Sequence, residues 1–228
     1  GRTIELDTAA GTVAQTLVPT TTARLSAQNL VLRGNATYEL RRAVTGDQNN
    51  VANLAADTGA GTVHYVDADA LTLANLASSV LPSGTALTGG RAIDRTGDVW
   101  LRTLTGDLTL SHSASAVSLG LDAAGKVEQT GGSITATNLG ARAGTGSVLL
   151  GSAGNAVGVF SASATTAGQD VWLREADGYT IDGLSNSPLN VAGGSANGTA
   201  VFRATGGITA GRTIELDTAA GTVAQTLV

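Results

Sequence analysis

Cysteine and methionine are both absent from this 228-residue chain, lysine occurs once, at Lys126, and only 3% of the residues are aromatic. Without cysteine there are no disulfides, thiolate metal sites or thiol nucleophiles, so packing and backbone hydrogen bonds must carry the fold. The same absence suits an oxidising or a reducing compartment equally. Charge is scarce too, at 14% against about 25% for an average globular protein. The net charge is −5 and the twelve arginines are scattered, so no basic stripe is available to neutralise phosphates and nucleic-acid binding is not expected. No apolar run approaches the ~18 residues of a spanning helix, so membrane insertion of this segment is not expected either. The sequence opens at Gly1 without a leader-like stretch and is expected to be part of a longer chain, with targeting and anchoring signals elsewhere.

What is present is small. Thirty-one glycines accompany a preponderance of Ala, Thr, Val and Leu. A compact three-dimensional interior needs large side chains, whereas a solenoid encloses a narrow channel that small branched residues fill coil by coil.

The segment GRTIELDTAAGTVAQTLV stands at 1–18 and again, unchanged, at 211–228. The period is 210 residues, which predicts a tandem array in which 1–210 is one unit and 211–228 begins the next. A weaker duplication lies inside the unit. Ile4-Glu5-Leu6-Asp7 and the following Ala9 to Thr16 resemble Leu119 to Thr130; Leu25 to Leu30 parallels Ile134 to Leu139; Asn49-Asn50-Val51 parallels Asn155-Ala156-Val157; and Val63 to Leu76 parallels Val171 to Leu184. The unit therefore divides into two diverged halves, about 1–115 and 116–210. Asp98-Val99-Trp100-Leu101-Arg102 recurs as Asp170-Val171-Trp172-Leu173-Arg174, with Asn29 to Arg33 and Ala200-Val201-Phe202-Arg203 related, and these read as equivalent strands of successive coils.

Apolar residues alternate over short spans such as Ile4/Leu6, Leu71/Leu73, Leu108/Leu110 and Leu119/Leu121, each bounded by Gly, Asn, Asp, Ser or Thr, which is the pattern of strands and turns. Ala68 to Val80 reads as strand and loop. A tandem repeat with sub-repeats describes a stack growing along one axis rather than a closed barrel or sandwich. The expected fold is all-β, a right-handed parallel β-helix. At ~20 to 23 residues per coil, within the usual range of repeat lengths, a unit would hold about ten coils. The two 18-residue copies are then expected to be related by a translation of roughly 48 Å, at ~4.8 Å per coil, with a modest twist.

The runs Asn155-x-Val157-x-x-Phe160 with Ala162, Val171-Trp172-Leu173, Gly178-Tyr179-Thr180-Ile181, and Gln129-Thr130-Gly131-Gly132-Ser133-Ile134-Thr135-Ala136, with the counterpart at Asn49 to Leu73, resemble two-partner secretion exoproteins, the filamentous haemagglutinin-like adhesins. The resemblance covers about half the chain. It implies a right-handed β-helix, secretion through an outer-membrane partner, and an adhesive or fibrous role; it brings no catalytic residues.

Candidate chemistry is sparse. His64 and His112 are the only near-neutral bases, and neither lies near a nucleophile-elbow motif. The pairs Asp67/Asp69 and Glu175/Asp177 could in principle serve a carbohydrate-active site or calcium, but are expected to be solvated turns between coils. Thr45-Gly46-Asp47, Thr96-Gly97-Asp98 and Thr105-Gly106-Asp107, together with Gly89-Gly90 and Gly193-Gly194, are expected turns. Trp100 and Trp172 each stand between two apolar residues. A narrow channel favours the smaller pair inside, so both indoles are expected outside as glycan or fibre-to-fibre contacts. No catalytic residue, metal or cofactor is expected. The expected role is a structural shaft of a secreted, cell-surface fibre, adhesive or self-associating. Its partners would be adjacent identical units and host surfaces, glycans or neighbouring fibres. The alternative is a carbohydrate-binding or carbohydrate-active β-helix.

Overall fold

The computed structural model describes residues 2–15, 23–44, 46–80, 86–184 and 207–225. Every regular element among them of more than one turn is a strand. The chain runs through β1 (Thr3–Asp7), β2 (Thr12–Ala14), β3 (Ser26–Arg33), β4 (Thr37–Leu40), β5 (Ala43–Val44), β6 (Asp47–Gln48), β7 (Asn50–Gly59), β8 (Val63–Asp67), β9 (Leu71–Leu73), β10 (Ser79–Val80), β11 (Ala86–Leu87) and β12 (Ile93–Arg95). It continues with β13 (Val99–Thr103), β14 (Leu108–Leu110), β15 (Ala114–Ala123), β16 (Val127–Gln129), β17 (Ile134–Ala143), β18 (Val148–Leu150), β19 (Ala156–Ala164), β20 (Val171–Glu175), β21 (Tyr179–Ile181), β22 (Ile208–Ala210), β23 (Ile214–Thr218) and β24 (Val223–Gln225).

Twenty of these strands form one continuous sheet, and every pairing within it is parallel and joins neighbouring coils. The fold is a parallel β-helix. Its strands form three ladders. The first follows the C-terminal parts of β1, β3 and β7, then β12 and the N-terminal parts of β15, β17 and β19. The second follows β2, β4, β8, β13, the C-terminal parts of β15, β17 and β19, and then β21 and β24, with β22 also paired to the end of β19. The third starts from Ile4 of β1, Leu30 of β3 and Leu54 of β7 and follows β9, β14, β16, β18, β20 and β23. The long strands β15, β17 and β19 round the corner between the first two ladders, which is why they belong to both. Antiparallel pairing among the described residues is confined to two small hairpins, β5–β6 and β10–β11, and a bridge between Leu76 and Gly90.

Alternation decides what faces the channel, and register makes the inward residues stack. Leu71, Leu108, Val127, Val148 and Val171 are paired in succession and are all essentially inaccessible to solvent. Tyr38, Val63, Val99, Leu119, Leu139 and Phe160 do the same on the second ladder. Each apolar residue thus covers its neighbours above and below, and burial grows with every coil added.

The coil number differs from expectation. Steps of 20 to 23 residues hold from Val99↔Leu119 through Leu119↔Leu139, Leu139↔Phe160 and Val148↔Val171. Elsewhere a coil is longer: Thr3 pairs with Asn29 and Asn29 with Asn53, Leu71 with Leu108, and Val171 with Ile214. The last two steps contain the insertions at 74–92 and 182–207. Along the third ladder β23, the copy of β1, is reached from β1 through β3, β7, β9, β14, β16, β18 and β20, and along the second ladder β24, the copy of β2, is reached from β2 through β4, β8, β13, β15, β17, β19 and β21, eight steps in each case. One unit is therefore about eight coils rather than about ten, or roughly 38 Å at ~4.8 Å per coil. Dividing repeat length by coil length had counted the insertions as coil. The two copies lie on the same ladders with their register offset by two residues: Ile4, through Leu30, Leu54 and Leu73, is in line with Leu216 rather than Ile214, and Val13, through Tyr38, Phe160 and Ile181, is in line with Gln225 rather than Val223.

Of the expected Thr-Gly-Asp turns, Gly46 and Gly106 have left-handed backbone (φ 79° and 73°), whereas Gly97 is required by proximity, since a Cβ there would lie 2.3 Å from the Ala60 carbonyl oxygen. Thr45, Gly193-Gly194 and Ala200 to Arg203 lie outside the described residues.

Candidate functional surface

The acidic pairs divide between inside and outside. Asp69 is exposed as expected, but Asp67 and Glu175 are fully buried, which corrects their reading as solvated turn residues. Asp67 Oδ2 accepts hydrogen bonds from the Val51 amide (3.0 Å) and the Tyr65 hydroxyl (2.5 Å), and Oδ1 accepts from the Asp69 amide (3.2 Å). Glu175 repeats the arrangement, accepting from the amides of Val157 (2.8 Å), Asp177 (2.7 Å) and Gly178 (2.6 Å). Both carboxylates tie a turn to the start of the preceding long strand, where backbone amides would otherwise be buried without partners. The spacing of the acids was visible in the sequence; their facing was not, because a turn inverts the alternation on which facing depends.

Burial, outweighing these hydrogen bonds, pushes the Asp67 carboxyl up to about 6. A carboxyl raised above its unfolded value near 3.9 contributes stability that is complete below that value and is lost as pH rises through about 6. Wild type is therefore expected to lose on the order of 2 kcal/mol of stability between pH 4 and pH 7 from this group, and Asp67→Asn to flatten that part of the profile. Urea midpoints of both proteins across this range provide the check. A wild-type profile that is flat or rises with pH while the variant's is unchanged would contradict the assignment.

Two further buried devices escaped the sequence reading. Asn49 and Asn155, recognised only as matching repeat positions, are completely buried and make the same bonds in the two halves. Asn155 Oδ1 accepts from the Ile134 amide and Gln129 Nε2, while Nδ2 donates to the carbonyls of Leu150 and Arg174. Asn49 does likewise with Leu25, Gln15, Leu40 and Val66. Arg95, 2% exposed, donates to the carbonyls of Gly34, Ala36, Asp57 and Gly61, clamping the stacked turns of two preceding coils, and burial lowers its pKa.

The tryptophans do point away from the channel, with Val99, Leu101, Val171 and Leu173 inside. Their surroundings differ. Trp100 pairs with His64 in the adjacent coil and stacks on it, ring centroids 4.1 Å apart and planes 11° from parallel, leaving Trp100 9% exposed. The indole face against His64 is thus occupied. His64 Nδ1 lies 2.6 Å from Glu39 Oε1, but desolvation dominates and lowers the imidazole's pKa. Trp172 is half-buried on the third ladder, in register with Leu149 and Glu215. Its ring lies so close over Gly151 that a Cβ there would come within 2.4 Å. One flank carries Glu128, Gln129 and Ser152; the other carries Glu215, Thr213 and Asp170, the last held by Arg212. The indole Nε1 has no hydrogen-bond partner. The two tryptophans stand on different ladders, so they do not form one line along the stack.

His112 is exposed, its Nδ1 3.0 Å from Ser111 Oγ, but that hydroxyl is also bonded to the Leu73 carbonyl, and Asp94 on the same groove is engaged by Arg91. No group of three or more potential metal-ligating His, Asp or Glu residues gathers among the described residues. Arginines near the ends of several strands face aspartates in an adjacent coil: Arg102 and Arg142 flank Asp122 from either side, and Arg174 lies 3.1 Å from Asp217. Opposite charges at a common position favour one stacking register. No protein-family model, curated protein or solved structure matches the chain.

Proposed function

We propose that the chain is a shaft segment of a secreted, cell-surface repeat fibre whose biological output is adhesion or self-association, in the manner of the filamentous haemagglutinin-like exoproteins that its sequence resembles. One observation carries this reading: β23 and β24, the beginning of an identical copy, continue the parallel ladders on β20 and β21. The end of one unit is thus a template for the next, and repetition adds length and valency without a new fold. The shaft reading is tested by measuring rod length in chains of one, two and three units by electron microscopy. An increment of roughly 38 Å per unit is expected; globular particles, or no increment, would overturn it.

A second reading, glycan binding, is favoured by Trp172. A half-exposed indole flanked by carboxylates, an amide and hydroxyls offers an apolar plate with polar groups at its rim, the chemistry that suits a sugar ring. Saturable binding on a broad glycan array, abolished by Trp172→Ala and retained by Trp100→Phe, would support it. Absence of binding by wild type would remove it and leave the shaft reading intact.

A further inference from the structure

The insertion at 74–92 folds back along the outside of the stack. Leu76 bridges Gly90, and the pairs Ser79↔Leu87 and Val80↔Ala86 keep the same antiparallel register, so one ribbon runs from Leu76 and Gly90 to Val80 and Ala86. Its root lies over Val31 and Ala55, which face outward yet are inaccessible to solvent; a Cβ on Gly90 would come 3.0 Å from Val31 Cγ1 and 3.3 Å from Ala55 Cβ. From there the ribbon runs towards the first coil. The Gly89 carbonyl accepts from Arg33 of β3, and the Thr88 amide donates to Glu5 Oε2 of β1 at 3.0 Å. Ala86, with Val80 beside it, is a further ~6.6 Å along the strand, more than the ~4.8 Å between coils. That direction carries both past β1, and Val80 is 69% exposed.

The other end of the unit carries the complementary surface. Glu128, Leu149, Trp172 and Glu215 stand in register on one outward row, with Leu149 and Trp172 half-buried. Glu215 is the copy of Glu5, whose own row continues to Val31 and Ala55. In the proposed tandem array the row therefore reads Leu149, Trp172, Glu215, then Val31 and Ala55 of the following unit. The following unit's ribbon covers its own Val31 and Ala55, meets Glu215 through Thr88, and reaches Trp172 one coil further on. We infer that the β10–β11 ribbon of each unit clasps Leu149 and Trp172 of the unit before it, with Val80 in the depression of about 280 Å³ bounded by Leu149, Trp172, Arg212 and Glu215. This rests on the tandem continuation and identifies a side-chain contact that locks successive units together beyond their backbone ladders. A lone two-stranded ribbon is marginal in water, and apolar burial at its far end supplies what its few hydrogen bonds do not. Trp172 is then open only in the last unit of an array, so glycan bound per chain does not increase with unit number.

The scarcity of tryptophan supplies the test, since Trp100→Phe leaves Trp172 as the single indole of a unit. Acrylamide quenching of fluorescence is compared between the 228-residue chain carrying Trp100→Phe and a two-unit chain that also carries Trp172→Phe in its second unit. The quenching constant is expected to fall by about twofold or more in the two-unit chain, where the first unit's indole is covered. It is expected to recover when the second unit carries Val80→Asp, or the milder Val80→Ser. Both variants should leave the melting temperature of the 228-residue chain unchanged, because Val80 is exposed there. Equal quenching in the one-unit and two-unit chains, or shielding that survives both Val80 variants, would overturn the clasp while leaving the shaft standing. Two-unit rods no longer than one-unit rods in electron micrographs would instead remove the shaft reading, and the clasp with it.

Discussion

Asn155→Ala is expected to destabilise the stack by roughly 3 to 5 kcal/mol, more than any surface substitution, although it removes no apolar contact of consequence. The side chain is fully buried and serves the Ile134 amide, the Leu150 and Arg174 carbonyls and the Gln129 side chain together. Alanine leaves the backbone groups without partners in a site too narrow to admit solvent freely, and each buried unsatisfied group costs about 1 to 3 kcal/mol, with incomplete additivity. Because coils communicate through nearest neighbours, the loss should be concentrated in β17 to β20. Hydrogen exchange of those strands, together with a urea midpoint, measures it. Asn50→Ala provides the control: Asn50 is exposed and its side-chain amide donates to the Asp69 carboxylate at the surface, so a change of a few tenths of a kcal/mol is expected. Equal midpoints for the two variants would refute the structural role given to Asn155.

Val171→Asp should be at least as damaging. Val171 lies between Val148 and Ile214 in the inward stack of the third ladder and is inaccessible to solvent. An aspartate there places a charge, or a protonated carboxyl without designed partners, against apolar side chains above and below, costing roughly 3 kcal/mol or more. Local loss of β18, β20 and β23 is expected, whereas exposed Asp69→Asn should change stability by no more than a few tenths of a kcal/mol. Circular dichroism melts distinguish the two; coincident melting curves would mean that the assigned facing is wrong.

The sequence by itself determined the architecture, because each element of that argument is local or periodic. Period-two alternation at Leu71/Leu73 or Leu108/Leu110 fixes which side chains share a face, and the unchanged 18-residue repeat with weaker sub-repeats inside the unit favours a stack growing along an axis. The outward facing of Trp100 and Trp172 followed from the same rule. What only the tertiary structure decided is how the periods combine. Coil length is set by where a chain returns to its ladder, and a step such as Leu71 to Leu108 takes in an insertion without changing the alternation, so the count of about eight coils could not be obtained by counting residues. Burial of Asp67, Glu175, Asn49 and Asn155 likewise depends on which amides and carbonyls a neighbouring coil leaves unpaired at a corner. Trp100 and Trp172 share four identical neighbours in sequence, Asp-Val before and Leu-Arg after, yet one is stacked on His64 and the other stands over Gly151. The coil beneath each strand supplies the difference, and that neighbour lies some twenty to forty residues away along the chain.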